Sequence, residues 1–204
     1  MSRIDALMRL APVIPVLVIE DAAHAEPIAR ALVAGGLPVL EVTLRTPVAL
    51  DVIRAMSQVP GAVVGAGTVL SPADLDAALE AGAQFIVSPG LTPALGAAAV
   101  ASGVPFLPGT ANAADIMLGL DLGLTRFKFF PAEASGGIAA LKAISAPFGM
   151  ARFCPTGGIT QASAAQWLAL DAVLCVGGSW LVGKGAPDPA AIEAAARAAA
   201  ALAG

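Results

Sequence analysis

At 204 residues the chain is long enough to bury one sizeable core, and its length suits a single α/β domain spanning residues 1–204. It is 57% hydrophobic and only 13% charged, a sparse polar cover that points to an oligomer burying apolar faces. The formal net charge of -4, with no basic stripe, excludes a nucleic-acid partner but leaves room for a small anionic ligand held in a locally positive site.

The first residues read as a short helix covering the amino-terminal mouth of the fold. Arg3 and Arg9 ahead of the apolar run LAPVIPVLVI imitate a secretion signal, but Asp5 and two prolines interrupt it. The run also fits a first strand, so a cytoplasmic protein is expected. No apolar stretch reaches about 18 residues without a charge or breaker, so no membrane span is expected.

From Val13 onward one unit recurs: a β-rich run, a turn rich in Gly, Pro, Ser or Thr, an alanine-rich helical stretch, then Gly or Pro. The runs are VIPVLVI from Val13, VLEVTL from Val39, AVVGAGTV from Ala62, FIVSPG from Phe85, PFLPGT from Pro105, RFKFFPA from Arg126, RFCPTGG from Arg152 and VLCVGGSWL from Val173. Their starts lie roughly 20 to 26 residues apart, room for one strand, one helix and two short loops. Ser71 before Pro72 and Thr92 before Pro93 are good helix starts, and Gly35, Gly82 and Gly103 fit helix ends. Eight strand-helix units in strict alternation predict a parallel sheet closed into a single (β/α)8 TIM barrel, with a doubly wound open sheet as the alternative. Pro189 to Leu202 reads as a closing helix, with Glu193 and Arg197 four residues apart.

In such a barrel the chemistry gathers at the carboxyl ends of the strands. In RFKFFPA, strand alternation puts Arg126, Lys128 and Phe130 on one face and Phe127 and Phe129 on the other. A lysine among aromatics suits an amine that attacks a carbonyl; the competing reading is a snorkelling lysine on a solvated face. In the second run Glu41, Thr43 and Arg45 share the face opposite Leu40, Val42 and Leu44. Pointed inward, these polar groups must meet each other, water or a ligand, and a structural Glu41–Arg45 pair is one solution. The other is a Glu41–Lys128 pair across the barrel. Imine formation from a ketone needs a nucleophilic amine and a group that gives and takes protons, which these two residues supply. Arg45 and Thr68 suit a substrate carboxylate, Thr68 being equally readable as a turn hydroxyl.

The seventh and eighth runs end in TGG (Thr156, Gly157, Gly158) and GGS (Gly177, Gly178, Ser179), where glycines let backbone N–H groups approach a phosphate. Gly65 to Gly67 lacks the third glycine of a dinucleotide fingerprint. His24 is read as a surface residue of the outer ring, Trp167 and Trp180 as packing or interface residues, and Pro89 and Phe130 as pocket wall. Cys154 and Cys175 read as reduced and buried. No cluster has metal-ligand spacing, so no metal is expected.

Through LVAGGLPVLEVTLRT, VGAGTVL, EAGAQFIVSPG, FKFFPAE, RFCPTGGI and LCVGGSWL the chain resembles the bacterial 2-keto-3-deoxy-6-phosphogluconate aldolases, class I aldolases of the Entner–Doudoroff pathway, from about Val13 to Val182. The resemblance implies a Schiff-base role for Lys128, a general acid/base role for Glu41, and carboxylate binding by Arg45 and Thr68. It also implies a pocket lined by Pro89 and Phe130 and a phosphate site at Gly157, Gly158, Gly178 and Ser179. The implied substrates are a phosphorylated 2-keto sugar acid and pyruvate, with no external cofactor and a homotrimeric assembly. The galactonate epimer, 2-keto-4-hydroxyglutarate, and a non-covalent phosphate-sugar or isomerase barrel are the alternatives. Family members usually carry threonine where this chain has Asn112, and either residue caps a helix.

Overall fold

In the computed structural model, which describes residues 3–183 and 185–202, every expected β-rich run contributes a strand. The strands are β1 (Val13–Leu17), β2 (Val39–Thr43), β3 (Val63–Gly67), β4 (Ile86–Val87), β5 (Phe106–Leu107), β6 (Gly109–Thr110), β7 (Arg126–Phe129), β8 (Arg152–Pro155) and β9 (Val176–Gly178). All pairings are parallel, with Val16 opposite Glu41, Glu41 opposite Gly65, and Lys128 opposite both Gly109 and Cys154.

The closed eight-stranded (β/α)8 TIM barrel expected from the repeat is not what the hydrogen bonds build. They make a six-stranded sheet, in the order β5-β4-β3-β2-β1-β9, and a separate three-stranded sheet, β6-β7-β8. Two prolines account for the division. The fifth run is cut at Pro108, whose carbonyl accepts from Lys128 N at 2.8 Å and whose nitrogen, on the same side, has no hydrogen to return. At the other seam Phe153 bonds toward the last strand through both its N–H and C=O. Alternation then aims the nitrogen of Pro155 the same way, again with nothing to donate. Only the isolated bridges Phe153–Val173 and Thr156–Gly177 remain there. Sequence periodicity signals strands and helices, but a ladder also requires a donor at every second residue.

The two sheets share an interior. Ile14, Val39, Phe85, Val87, Leu107, Cys154 and Cys175 cluster inside it, sealed at the amino-terminal end by Ile4 and Met8 of helix α1 (Arg3–Met8). Outward-facing residues such as Leu40, Val42, Phe127 and Phe129 pack instead beneath the surrounding helices, Phe127 against Phe153 with ring centroids 6.0 Å apart. Both cysteines are free and buried; the hydrogen bond with Cys154 and burial push the Cys175 thiol up, so it stays a neutral packing group. Helix starts use local side chains: Ser71 accepts from Asp74 N, Thr92 from Leu95 N and Asn112 from Asp115 N.

Asp5 of α1 is 1% exposed and accepts hydrogen bonds from Arg9 and from Arg126, the first residue of β7. Burial raises its pKa, but the two guanidiniums outweigh burial and hold the carboxyl below the usual carboxylate range. A lowered folded-state pKa contributes stability that is present above the unfolded-state value and lost as pH falls through the folded-state value. Asp5→Asn is therefore expected to lower stability at pH 7 by about 1–3 kcal/mol. In thermal melts the gap to the parent protein should close as pH drops below the ordinary carboxylate range; a gap that stays constant with pH would refute the assignment.

Candidate active site

β2 and β7 bring the two central groups together. Strand alternation points Glu41 and Lys128 into the shared interior, and their chain ends meet with Nζ 2.9 Å from Oε1. Both are almost wholly enclosed, the side chains being 7% and 3% exposed for lysine and glutamate respectively. This resolves the competing readings: Lys128 is not a snorkelling surface amine, and Glu41 pairs with it and not with Arg45. The ammonium also lies 5.4 Å from the Phe130 ring centroid. Thr43, the next inward residue on β2, donates to Leu17 O at 2.9 Å and so serves the backbone of β1.

Room for the pair depends on glycine. A methyl at Gly67, opposite Thr43 on β3, would fall 2.3 Å from Glu41 Oε1. Gly67→Ala is expected to displace the carboxylate, lowering kcat/KM by about 10- to 100-fold and stability by about 1–3 kcal/mol. Steady-state rates and a melt check both, and an alanine variant with unaltered rates would show that Glu41 needs no fixed position.

A cavity of 730 Å³ opens over the pair at the carboxyl ends of the strands. Arg45, Thr68, Pro89, Phe130, Gly157, Gly158 and Ser179 all line it beside Glu41 and Lys128. Among the described residues Arg45 enters no ion pair, which leaves its guanidinium free for an anion. Thr68 holds φ at +59°, a left-handed conformation costly for a β-branched residue and characteristic of functional sites. Gly157 and Gly158, at φ +103° and +82°, turn their backbone toward the same space.

Gly178 does not line the cavity; a side chain there would strike the Trp180 ring, and its neighbour Gly177 lines the cavity instead. His24 departs further from expectation. It is not on the outer ring but on the cavity rim, in the turn Ala22–His24 after β1, with Nε2 3.9 Å from an Asp21 carboxylate oxygen. Glu20, Asp21 and the walls Val16, Leu17, Ile159 and Val182 also line the cavity, with no motif in the sequence to mark them. The rule that strand ends line the site applies to the loop after the first run too, but that run is purely apolar and carries no polar inward face to signal it.

Chemically, the arrangement offers an enclosed amine with a carboxylate in hydrogen-bond contact, a guanidinium at one side and glycine N–H groups at another. The family model of the KDPG and KHG aldolases matches residues 4–195. The 2-dehydro-3-deoxy-phosphogluconate aldolase of Zymomonas mobilis is 65% identical over 202 residues, covering 99% of this chain and 97% of that protein. A crystal structure of the Zymomonas mobilis ZM4 2-keto-3-deoxy-6-phosphogluconate aldolase with 3-phosphoglycerate superposes with a TM-score of 0.97 at 64% identity, covering 98% of this chain and 96% of that one. The KDPG aldolase of Legionella pneumophila, with pyruvate captured at low pH as a covalent carbinolamine intermediate, gives a TM-score of 0.94 at 44% identity, covering 98% of each chain.

Proposed function

From the premise that this chain belongs to the KDPG and KHG aldolase family, and is thus a carbon–carbon lyase, we propose that Lys128 is its Schiff-base nucleophile and Glu41 its proton shuttle. The reaction is the reversible cleavage of 2-dehydro-3-deoxy-6-phosphogluconate to pyruvate and D-glyceraldehyde 3-phosphate. The observation that carries this reading is the enclosed Lys128–Glu41 contact of 2.9 Å beneath the cavity.

The proton that Lys128 must shed before it attacks has an acceptor already in contact. The neutral amine adds to the C2 ketone, and Glu41 returns the proton to the carbinolamine oxygen, which leaves as water and gives the iminium. Glu41, again a carboxylate, then takes the C4 hydroxyl proton. The C3–C4 bond breaks, its electron pair enters the iminium to form an enamine, and the aldehyde departs. Glu41 next protonates C3, and hydrolysis of the imine releases pyruvate and restores Lys128. Arg45 and Thr68 hold the substrate carboxylate, Pro89 and Phe130 shape the pocket wall, and Gly157, Gly158 and Ser179 receive the phosphate, with Gly178 ending β9 just before Ser179.

2-Keto-4-hydroxyglutarate, which the family name also covers, lacks a phosphate for these glycines; kcat/KM is therefore expected to favour the phosphorylated compound. We further propose a cytoplasmic homotrimer. Sparse charge and exposed apolar side chains such as Leu10, Leu70, Met117 and Met150 accord with self-association, and unbridged cysteines with a reducing compartment. Incubation with pyruvate and borohydride, then peptide mass mapping, tests the mechanism: reductive trapping on Lys128 is expected, and folded protein without that adduct would overturn it.

A further inference from the structure

Glu133 lies in the turn after β7, outside the reacting pair, yet it meets the glycine loop after β8 in two ways and the helix beyond that loop in a third. Its backbone N–H donates to Gly157 O at 3.0 Å, while the preceding Ala132 N–H donates to Thr156 O at 2.8 Å. Its side chain covers Gly158, where an added Cβ would fall 2.7 Å from both Glu133 Cβ and Cγ. Its carboxylate Oε1 accepts from Trp167 Nε1 at 3.0 Å. Trp167 belongs to the helix Gln161–Leu168, is 1% exposed, and packs against Phe129 with centroids 6.3 Å apart. A buried indole N–H demands an acceptor, so this bond gives the otherwise exposed Glu133 side chain one preferred position.

The consequence concerns the loop between these two anchors. Gly157 and Gly158 both sit at positive φ, a conformation with many neighbours in backbone space and little steric restraint of its own. A pair of glycines binds an anion well only if its N–H groups are already aimed, because ordering them at the moment of binding costs affinity. Glu133 supplies the restraint from the turn that follows β7, the strand of Lys128, and Trp167 supplies it from the helix that follows the loop. One residue thus ties the turn after the amine's strand, the glycine loop and the helix Gln161–Leu168 together.

We infer that Glu133 is a positioning residue that holds the Gly157–Gly158 backbone in register for the substrate's phosphate, acting through its bond to Trp167. This rests on the proposed reading of that loop as the phosphate site. It predicts a loss confined to phosphate recognition. Glu133→Ala removes the cover over Gly158 from Cγ outward and the indole's acceptor, and KM for the phosphorylated substrate is expected to rise about tenfold with kcat changed by less than about threefold. Glu133→Gln keeps both the shape and an acceptor oxygen and should restore KM to within about twofold of the parent protein. Trp167→Phe, which breaks the same bond from its other end, should raise KM alike, and the double variant with Glu133→Ala should be no worse than either single change.

The experiment measures kcat and KM of the parent and the four variants with the phosphorylated substrate and with 2-keto-4-hydroxyglutarate, inorganic phosphate binding by calorimetry, and pyruvate trapping by borohydride. Support is a rise in KM and weakened phosphate binding in Glu133→Ala, with unchanged kinetics on the unphosphorylated substrate, recovery in Glu133→Gln, and an intact adduct at Lys128. Equal losses on both substrates, an unchanged KM for the phosphorylated one, or no recovery in Glu133→Gln overturns the inference. Should the parent protein itself fail to trap pyruvate, the aldolase mechanism falls alone. Phosphate binding then decides the role of Glu133 by itself, equal affinity in the parent and Glu133→Ala counting against it.

Discussion

Lys128→Arg is expected to fold and to lose the reaction, with kcat/KM falling at least about 10⁴-fold, equivalent to about 5 kcal/mol of transition-state stabilisation. Arginine separates the two things Lys128 does. Its charge still faces Glu41, which is 3% exposed and would otherwise be left as an uncompensated buried carboxylate. Its guanidinium stays protonated and cannot add to a ketone. Lys128→Ala loses the nucleophile too, but strands the carboxylate and should cost about 3–5 kcal/mol of stability, so its inactivity would say little about chemistry. The decisive measurements are the melting temperature, the steady-state rate and the borohydride adduct of Lys128→Arg. A folded variant retaining a tenth of parental activity would mean that Lys128 only neutralises charge, as in a non-covalent isomerase or binding protein.

How much of this was legible in the chain depended on which physical signal carried it. The alternation of β7 put Lys128 and Arg126 inside and both Phe127 and Phe129 outside, and the structure keeps that division, with Arg126 on Asp5 below and Lys128 on Glu41 above. Alternation is a one-residue rule and survives any tertiary context that buries one face. The closure of the sheet is a different kind of quantity. It depends on the donors missing at Pro108 and Pro155 and on which neighbour each would have addressed, and that requires the register, known only once the strands are paired. His24 and Glu133 illustrate a second limit. Neither belongs to a polar strand face, and each gains its position from a turn whose course is set by the elements on either side. Gly67 shows the reverse: its type is plain in the sequence, but the reason for it is the carboxylate of Glu41 in the adjacent strand.

The same geometry sets the expectation for Glu41→Gln. The amide has the size of the carboxylate and can still accept from Lys128, so the fold, the cavity and the placement of the amine persist. What disappears is a group able to take up and return protons, and positioned acid/base groups of this kind contribute about 10²- to 10⁴-fold. A fall in kcat of that size is expected, with KM moved far less. The step affected is visible apart from turnover, because enamine formation exchanges the methyl protons of pyruvate for deuterium in heavy water. Exchange catalysed by Glu41→Gln should slow by a factor comparable to the loss in kcat. Long incubation with pyruvate and borohydride should still mark Lys128, since the nucleophile is intact. Exchange at the parental rate would remove Glu41 from the proton path, leaving its 2.9 Å contact with Lys128 as a structural ion pair and requiring some other group to handle the C3 and C4 protons.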